Sequence, residues 1–362
     1  MTAADYQEAA FAFANYHAGM CKLTPGKISV LPLGNGLINH TYKVSCSSGH
    51  FFLLQQINKN VFPRPQDVQE NYITIWKYAE TEIKGLKLPA PRYCDKMVSL
   101  FMDSSGNYWR SFEFIKDSVT HSIAQKPQQA KATAKAFAKF TSAFSKFDVD
   151  QLKIIIPDFH NVSFRYEQME QAEKKGLPER IEKAKSLLRE LRERERYSQF
   201  YEMITGSDDF LLRVMHHDAK ISNVLFNKTT GRIICPVDFD TVMPGYFFSD
   251  PGDMIRSMAC NYDENYQYFE KIRIRKSYYE AIISGYMSVM WKYFTASEKK
   301  YIHYSGILMI YMQAMRFLTD FMYGGIYYKV EYKGQNFDRA LNQLTLLKRL
   351  EEFLESEYGF KP

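Results

Sequence analysis

The segment His216-His-Asp-Ala-Lys-Ile-Ser-Asn223, taken with the stretch up to Asp240, constrains this chain most. Asn223-Val-Leu-Phe-Asn227 reads as a strand, Lys228-Thr-Thr-Gly231 as a turn, and Arg232-Ile-Ile-Cys-Pro-Val237 as the returning strand, ending on Asp238-Phe-Asp240. Two apolar, β-branched runs joined by a short glycine-containing turn predict a hairpin. A hairpin brings its ends together, so Asn223 and Asp238 are expected side by side. The bland alternative is a buried hairpin with incidental polar ends. A lone His-x-Asp does not decide between the two readings; the full set of residues around a correctly placed hairpin argues against the bland one.

Those residue types suit phosphoryl transfer, which asks for few protein groups. One carboxylate accepts the proton of the attacking hydroxyl, an amide and a second carboxylate hold Mg2+ against phosphate oxygens, and a lysine neutralises charge on the transferred group. His216-x-Asp218 with Asn223 five residues after the aspartate fits the H-x-D-x-x-x-x-N catalytic-loop pattern. Asp218 is the candidate base, Lys220 the phosphate partner, and Asn223 and Asp238 the metal ligands, with ATP as donor. A second, weaker signal is Gly34-Asn35-Gly36 between two strand-like runs, where backbone amides can approach phosphate oxygens without a Cβ in the way. The same pair of glycines also serves in an ordinary hairpin turn.

Composition excludes several classes. The chain has 362 residues, enough for one large domain or two lobes, and 46% hydrophobic residues, as a globular protein has. The net charge of +6 is mild, and with no long basic stripe nucleic-acid binding is not favoured, whereas an anionic substrate is. Five scattered cysteines without a C-x-x-C pair indicate neither a zinc site nor a disulfide framework, and fit a cytoplasmic protein best. Asp5 and Glu8 argue against a signal peptide. No apolar run reaches the roughly 18 residues of a membrane span. The longest, Gly306 to Met315, reads as a buried helix.

The patterning divides along the chain. A helix over 3–20 precedes a β-meander from Lys27 to about Asn58. A helix over 66–84 and strands near 98–102 and 108–115 come next. Beyond about 120 the patterns are helical, over 127–146, 177–196, 252–260, 264–293, 297–321 and 337–358, interrupted by the hairpin. This predicts an α+β, protein-kinase-like two-lobed fold. Residues 1–115 form a small antiparallel-sheet lobe that binds nucleotide. Residues 116–362 form a larger, mainly helical lobe with the catalytic loop, metal site and acceptor pocket.

These motifs, with Gly34-Asn-Gly-Leu-Ile-Asn-His-Thr-Tyr42, Leu54-Gln-Gln-Ile-Asn58, Ile156-Pro-Asp-Phe-His160, Asp238-Phe-Asp-Thr-Val-Met-Pro-Gly245, Ser249-Asp-Pro-Gly-Asp-Met-Ile-Arg256 and Arg316-Phe-Leu-Thr-Asp320, resemble the aminoglycoside phosphotransferase and choline kinase superfamily over about residues 25–355. Within it they are most similar to the N-acetylhexosamine 1-kinases. The resemblance implies ATP- and Mg2+-dependent phosphorylation of the anomeric hydroxyl of an N-acetylhexosamine, in amino-sugar or mucin-glycan salvage, by a monomer or weak dimer. It carries Asp218 over as base and Asp238 as metal ligand, and makes Arg316 and Tyr327 sugar contacts. Gly34, Asn35, Gly36, Asn39, Gln55 and Ile115 are the nucleotide positions. The third strand carries Gln55-Gln56 where many kinases have a lysine, which leaves Lys220 as the main cation near the transferring phosphate. Arg316 has a competing role, an ion pair with Asp320 four residues on, and Asp253 is expected to cap a helix start. A kinase for another sugar, an aminoglycoside or an amino alcohol shares the same machinery. A pseudokinase is disfavoured because Asp218, Asn223 and Asp238 are all present.

Overall fold

The computed structural model of the protein describes residues 3–16, 28–33, 38–93 and 98–361. In chain order it has α1 (Ala3–Tyr16), β1 (Ile28–Pro32), β2 (His40–Cys46), β3 (Phe51–Ile57), α2 (Pro65–Glu82), β4 (Pro91–Arg92), β5 (Leu100–Met102), β6 (Tyr108–Glu113) and β7 (Ser118–Val119). Helices α3 (Pro127–Ala143), α4 (Val162–Lys175), α5 (Pro178–Arg192) and α6 (Arg196–Thr205) come next. Then come β8 (Arg213–Met215), β9 (Val224–Asn227), β10 (Ile233–Pro236) and β11 (Met243–Gly245). The order closes with α7 (Ser249–Met254), α8 (Lys276–Met290), α9 (Ala296–Lys300), α10 (Tyr304–Tyr323) and α11 (Gln335–Tyr358). The result is the expected fold, an antiparallel-sheet lobe followed by a mostly helical remainder. The chain forms two compact units, Met1–Val119 with Asp150–Ile156 and Leu225–Met243, and Thr120–Val149 with Pro157–Val224 and Pro244–Pro362.

The first unit is built on a sheet in the order β1-β2-β3-β6-β4, with β5 also on β6. Alternation in β2 and β3 puts Tyr42, Val44, Phe52 and Leu54 on one face, Tyr42 opposite Leu54 and Val44 opposite Phe52. Helix α1 covers that face with Ala9, Ala10 and Phe13, beside the buried Trp109 of β6. Burying each such large side chain contributes about 1.5–3 kcal/mol. The opposite face carries Gln55 and Arg110, paired in register. Helix α2 starts on Pro65, which needs no N–H partner at a first helical position. Its buried stripe Val68, Tyr72, Ile75 and Ala79 has helical spacing, and Tyr72 meets Phe112 of β6 edge-on at 5.1 Å. Strands β10, β9 and β7 form a second sheet.

The second unit is organised around α10, which is buried on all sides over most of its length. Helices α4, α5, α6, α7 and α11 pack on it, and α3 packs on α8. No described helix is long and apolar enough to cross a membrane.

Several expectations change. The predicted helix 264–293 starts only at Lys276, because Cys260 forms a β-bridge with Ile274 and holds the intervening chain irregular. The predicted helix 297–321 is two helices, α9 and α10, broken at Tyr301–His303. The predicted helix 252–260 begins at Ser249 and finishes in a π-turn over Ile255–Ala259. Helix α4 has no counterpart among the expected helices, although Asn161 accepts the Phe164 amide as its N-cap and Val162, Tyr166, Met169 and Ala172 are spaced for one buried face. Residues 17–27, which include the end of the predicted first helix, lie outside the described residues. Cys46 is disulfide-bonded, contrary to the expectation of no disulfide, whereas Cys235 and Cys260 are free. Spacing alone does not reveal this pairing, since it says nothing of which thiols a sheet brings together.

One buried ion pair braces the approach to β8. Glu298 of α9 is fully buried and accepts from Arg213 at 2.5 and 2.8 Å and from the backbone amides of Leu211 (3.1 Å) and Thr295 (2.9 Å). Removing one partner leaves the other charge buried and unanswered. Glu298→Ala is therefore expected to cost about 3–5 kcal/mol in a denaturant melt, and a cost below about 1 kcal/mol contradicts the brace.

Candidate active site

In the second unit, β8 delivers the chain into a tightly held loop. His216 is fully buried, its ring edge-on to Phe137 at 4.9 Å. Asp250, buried in α7, accepts the successive backbone amides of His216 (3.2 Å) and His217 (2.8 Å). His217 has a left-handed backbone, φ 65°, so the chain reverses there. A Cβ at residue 245 would collide with the His217 ring, which is why glycine stands there.

The His217 ring closes a polar relay. Its Nε2 donates to the Pro244 carbonyl at 3.3 Å, leaving Nδ1 to accept from the Ser249 hydroxyl at 2.7 Å. Ser249 in turn accepts from His160 Nδ1 at 2.8 Å. This assignment satisfies every partner with both rings neutral. Burial, then the charges of His217, Arg316, Arg165 and Arg256, hold His160 well below the ordinary histidine range.

Asp218 is the next residue along. Asn223 Nδ2 donates to its backbone carbonyl (2.9 Å) and to Oδ2 (2.8 Å), and Lys220 Nζ lies 2.9 Å from the same Oδ2. Burial pushes the carboxyl up, but the charge and hydrogen bond of Lys220, the charge of His216 and the Asn223 amide outweigh it, so it stays below its ordinary value. Among the described residues, nothing donates to Oδ1. With its Nδ2 donating to Asp218, Asn223 turns an amide oxygen, an acceptor, toward other partners, and among the described residues no hydrogen bond to it is seen. Asp218, Lys220 and Asn223 are thus brought together within this unit.

Arg316 lies on α10 with its guanidinium over the rings of Phe159 (5.4 Å), Tyr328 (5.6 Å) and Tyr327 (5.9 Å), and donates to Gln313 at 3.3 Å. Arg316 and Tyr327 are therefore neighbours. Asp320 is not the partner of Arg316. Gly324 and Gly325 reverse the chain after α10 with positive φ, and the amides of Ile326, Tyr327 and Tyr328 return to the Asp320 carboxylate at 2.9, 2.7 and 3.1 Å, with Asn336 at 2.6 Å. Asp253 is not a helix cap either. It sits inside α7 and pairs with Arg256 at 2.9 Å.

In the first unit, Gln55 accepts from Arg110 at 2.9 and 2.5 Å and donates to Thr41 at 3.1 Å, a polar row across β2, β3 and β6. Arg110 also pairs with Asp240, whose other oxygen is held by Asn39. Asn39 in addition accepts the Asn58 amide at 2.9 Å. Sequence reasoning misses Arg110. It supplies a buried cation beside the glutamine that replaces a strand lysine, but only the register of β3 with β6 reveals it. Ile115 is buried and its carbonyl accepts from Ser118 at 2.6 Å. Asp238 is exposed and has φ 66°, a conformation uncommon for a non-glycine residue and often found at functional sites. Gly34, Asn35 and Gly36 lie outside the described residues.

Asp250 has a testable electrostatic signature. Burial drives its pKa up to about 7, against the lowering effect of the His217 and His216 amides, while Asp253 and Asp218 add to the rise. An unfolded aspartate titrates near about 3.9. The folded state binds more protons between these values, so the contribution is fully present below about pH 3.9 and is lost as pH rises through about 7. Asp250→Asn lacks that dependence. In urea melts, the parent's stability relative to this variant is expected to fall from about pH 4 to about pH 7 and then level. A difference constant across that window contradicts the raised pKa.

Known proteins share the fold. The model of the phosphotransferase enzyme family matches residues 29–271. An amicoumacin kinase solved with AMP-PNP and Ca2+ is similar in structure at 12% identity and TM-score 0.60, covering 100% of this chain and 96% of its own. An aminoglycoside phosphotransferase from Alicyclobacillus acidocaldarius is similar at 13% identity and TM-score 0.60, covering 92% and 95%. A choline kinase from Cryptosporidium parvum is similar at 16% identity and TM-score 0.55, covering 98% and 97%. With two thirds of its length matched by the family model, and with the same fold in these kinases, the chain belongs to the phosphotransferase enzyme family.

Proposed function

We propose that this protein transfers the γ-phosphoryl group of ATP to the anomeric hydroxyl of an N-acetylhexosamine, giving the sugar 1-phosphate and ADP. The observation that carries the reading is the state of Asp218. One carboxylate oxygen is fixed by Asn223 and Lys220, and the other accepts nothing among the described residues. Asp218 Oδ1 takes the proton of the anomeric hydroxyl as its oxygen attacks the γ-phosphorus in line, and ADP leaves from the opposite side. An anomeric hydroxyl is more acidic than other sugar hydroxyls, so a carboxylate held below its usual pKa serves as base. Lys220 is placed to balance negative charge as the proton moves.

The donor set fits Mg2+, which prefers hard oxygen ligands. Asn223 carries an amide oxygen beside Asp218, and Asp238 an exposed carboxylate on a left-handed backbone. When bound, the metal supplies charge neutralisation at the phosphate oxygens. The amino-sugar acceptor is supported by the resemblance in the motifs and by Arg316 with Tyr327, a fork of hydrogen-bond donors beside an aromatic ring.

A coupled assay of ADP release with N-acetylglucosamine and N-acetylgalactosamine tests the reading. Asp218→Asn is expected to keep the parent's melting temperature and nucleotide affinity and to lose about 10²–10⁴-fold in kcat. Turnover within a few-fold of the parent removes Asp218 as base.

A further inference from the structure

We infer that Arg110 is a positioning residue for the metal: acting through Asp240, it holds Asp238 in place to ligate Mg2+, and it does not take over the phosphate-binding task of a strand lysine. The inference rests on the kinase reading with Asp238 as metal ligand, whatever the acceptor, and gives that ligand its support.

A closed polar row crosses the sheet of the first unit. Thr41, Gln55 and Arg110 face one another on neighbouring strands, so their side chains share one face. Gln55 Nε2 donates to Thr41 at 3.1 Å, and its Oε1 accepts from Arg110 Nε at 2.9 Å and Nη2 at 2.5 Å. Nη2 also donates to one carboxylate oxygen of Asp240, and Asn39 Nδ2 donates to the other. Asn39 is held in turn, accepting the Asn58 amide at 2.9 Å. Arg110 is 2% and Asp240 4% exposed. A buried charge without its partner is costly, so each member of this pair holds the other. A phosphate oxygen bound to Nε or Nη2 breaks the row and strands the Asp240 carboxylate.

The row acts on the segment that carries Asp238. Asp240 lies two residues further on, past Phe239, which is buried with its ring 5.5 Å from that of Tyr72. The Phe239 carbonyl accepts the Val242 amide at 3.1 Å, and the Val242 carbonyl accepts from Asn71 at 2.9 Å. Asp238 itself is exposed, with φ 66°. A left-handed aspartate persists only where its surroundings over-determine it, and residues 239–242 supply those anchors. Both Asp240 oxygens accept from within the protein, so Asp238 is the one of the two aspartates presented to a cation.

The test binds Mn2+ to the full chain with ADP and counts the bound metal by electron paramagnetic resonance. Melting curves establish that each variant is folded. Arg110→Lys keeps a point charge for phosphate but lacks the planar fork that spans Gln55 and Asp240. Arg110→Lys and Asp240→Asn are each expected to weaken Mn2+ binding by about tenfold, while calorimetric affinity for metal-free ADP stays within about twofold of the parent. Asn39→Ala leaves the ion pair whole and removes the second hold on Asp240. It is expected to weaken Mn2+ binding in the same direction, and it decides the matter where a variant of the buried pair does not fold. Parental Mn2+ affinity in these folded variants overturns the brace. So does tighter metal-free ADP binding by Asp240→Asn, which marks Arg110 as a phosphate partner released from its carboxylate. Asp238→Asn is the reference: if it binds Mn2+ as the parent does, the metal assignment itself fails and the brace falls with it.

Discussion

The grip of the Asp250 carboxylate on the amides of His216 and His217 is the contact on which the candidate site depends. It fixes two successive peptide units, the second left-handed, and so sets where Asp218 emerges. An ionised carboxylate buried this deeply is costly, and two backbone donors only partly offset the cost. The surroundings repeat the theme. The His217–Ser249–His160 relay leaves no unsatisfied partner, and the Arg213–Glu298 pair steadies the strand that feeds the loop. A preorganised base spends little of the reaction's free energy on reorganisation.

A parallel logic governs the first unit. Where many kinases place a lysine, this sheet has Gln55, and the cation comes from the neighbouring strand as Arg110. Arg110 is bound at both ends, by Gln55 and by Asp240, and Asn39 holds the second Asp240 oxygen. The cross-strand row therefore anchors Asp240, two residues beyond the exposed Asp238. Asn71 of α2 adds to the hold by donating to the Val242 carbonyl at 2.9 Å.

Much of this is legible in the sequence because it obeys short-range rules. Period-two alternation marks β2 and β3, helical spacing marks α2 and α10, and the turn Lys228–Gly231 marks the hairpin. Asp218, Lys220 and Asn223 share one turn of chain, so their meeting is implicit in their spacing. The features that escape depend on tertiary pairing. Arg110 gains its meaning only from strand register. Asp250 acts on amides thirty-odd residues earlier in the chain. The expected Arg316–Asp320 pair obeys helix spacing but loses to three loop amides, which no periodicity encodes. Glu298 serves both the capping box that starts α9 with Thr295 and the buried ion pair with Arg213, and only the first of these roles is local in sequence.

The central claim is that Asp218 activates an anomeric hydroxyl, and the position of the phosphate on the product tests it most directly. Phosphorus NMR of the purified product formed from ATP and an N-acetylhexosamine is expected to show one phosphomonoester coupled to the anomeric proton. Coupling to the C6 protons instead, or no sugar phosphate at all, contradicts the account.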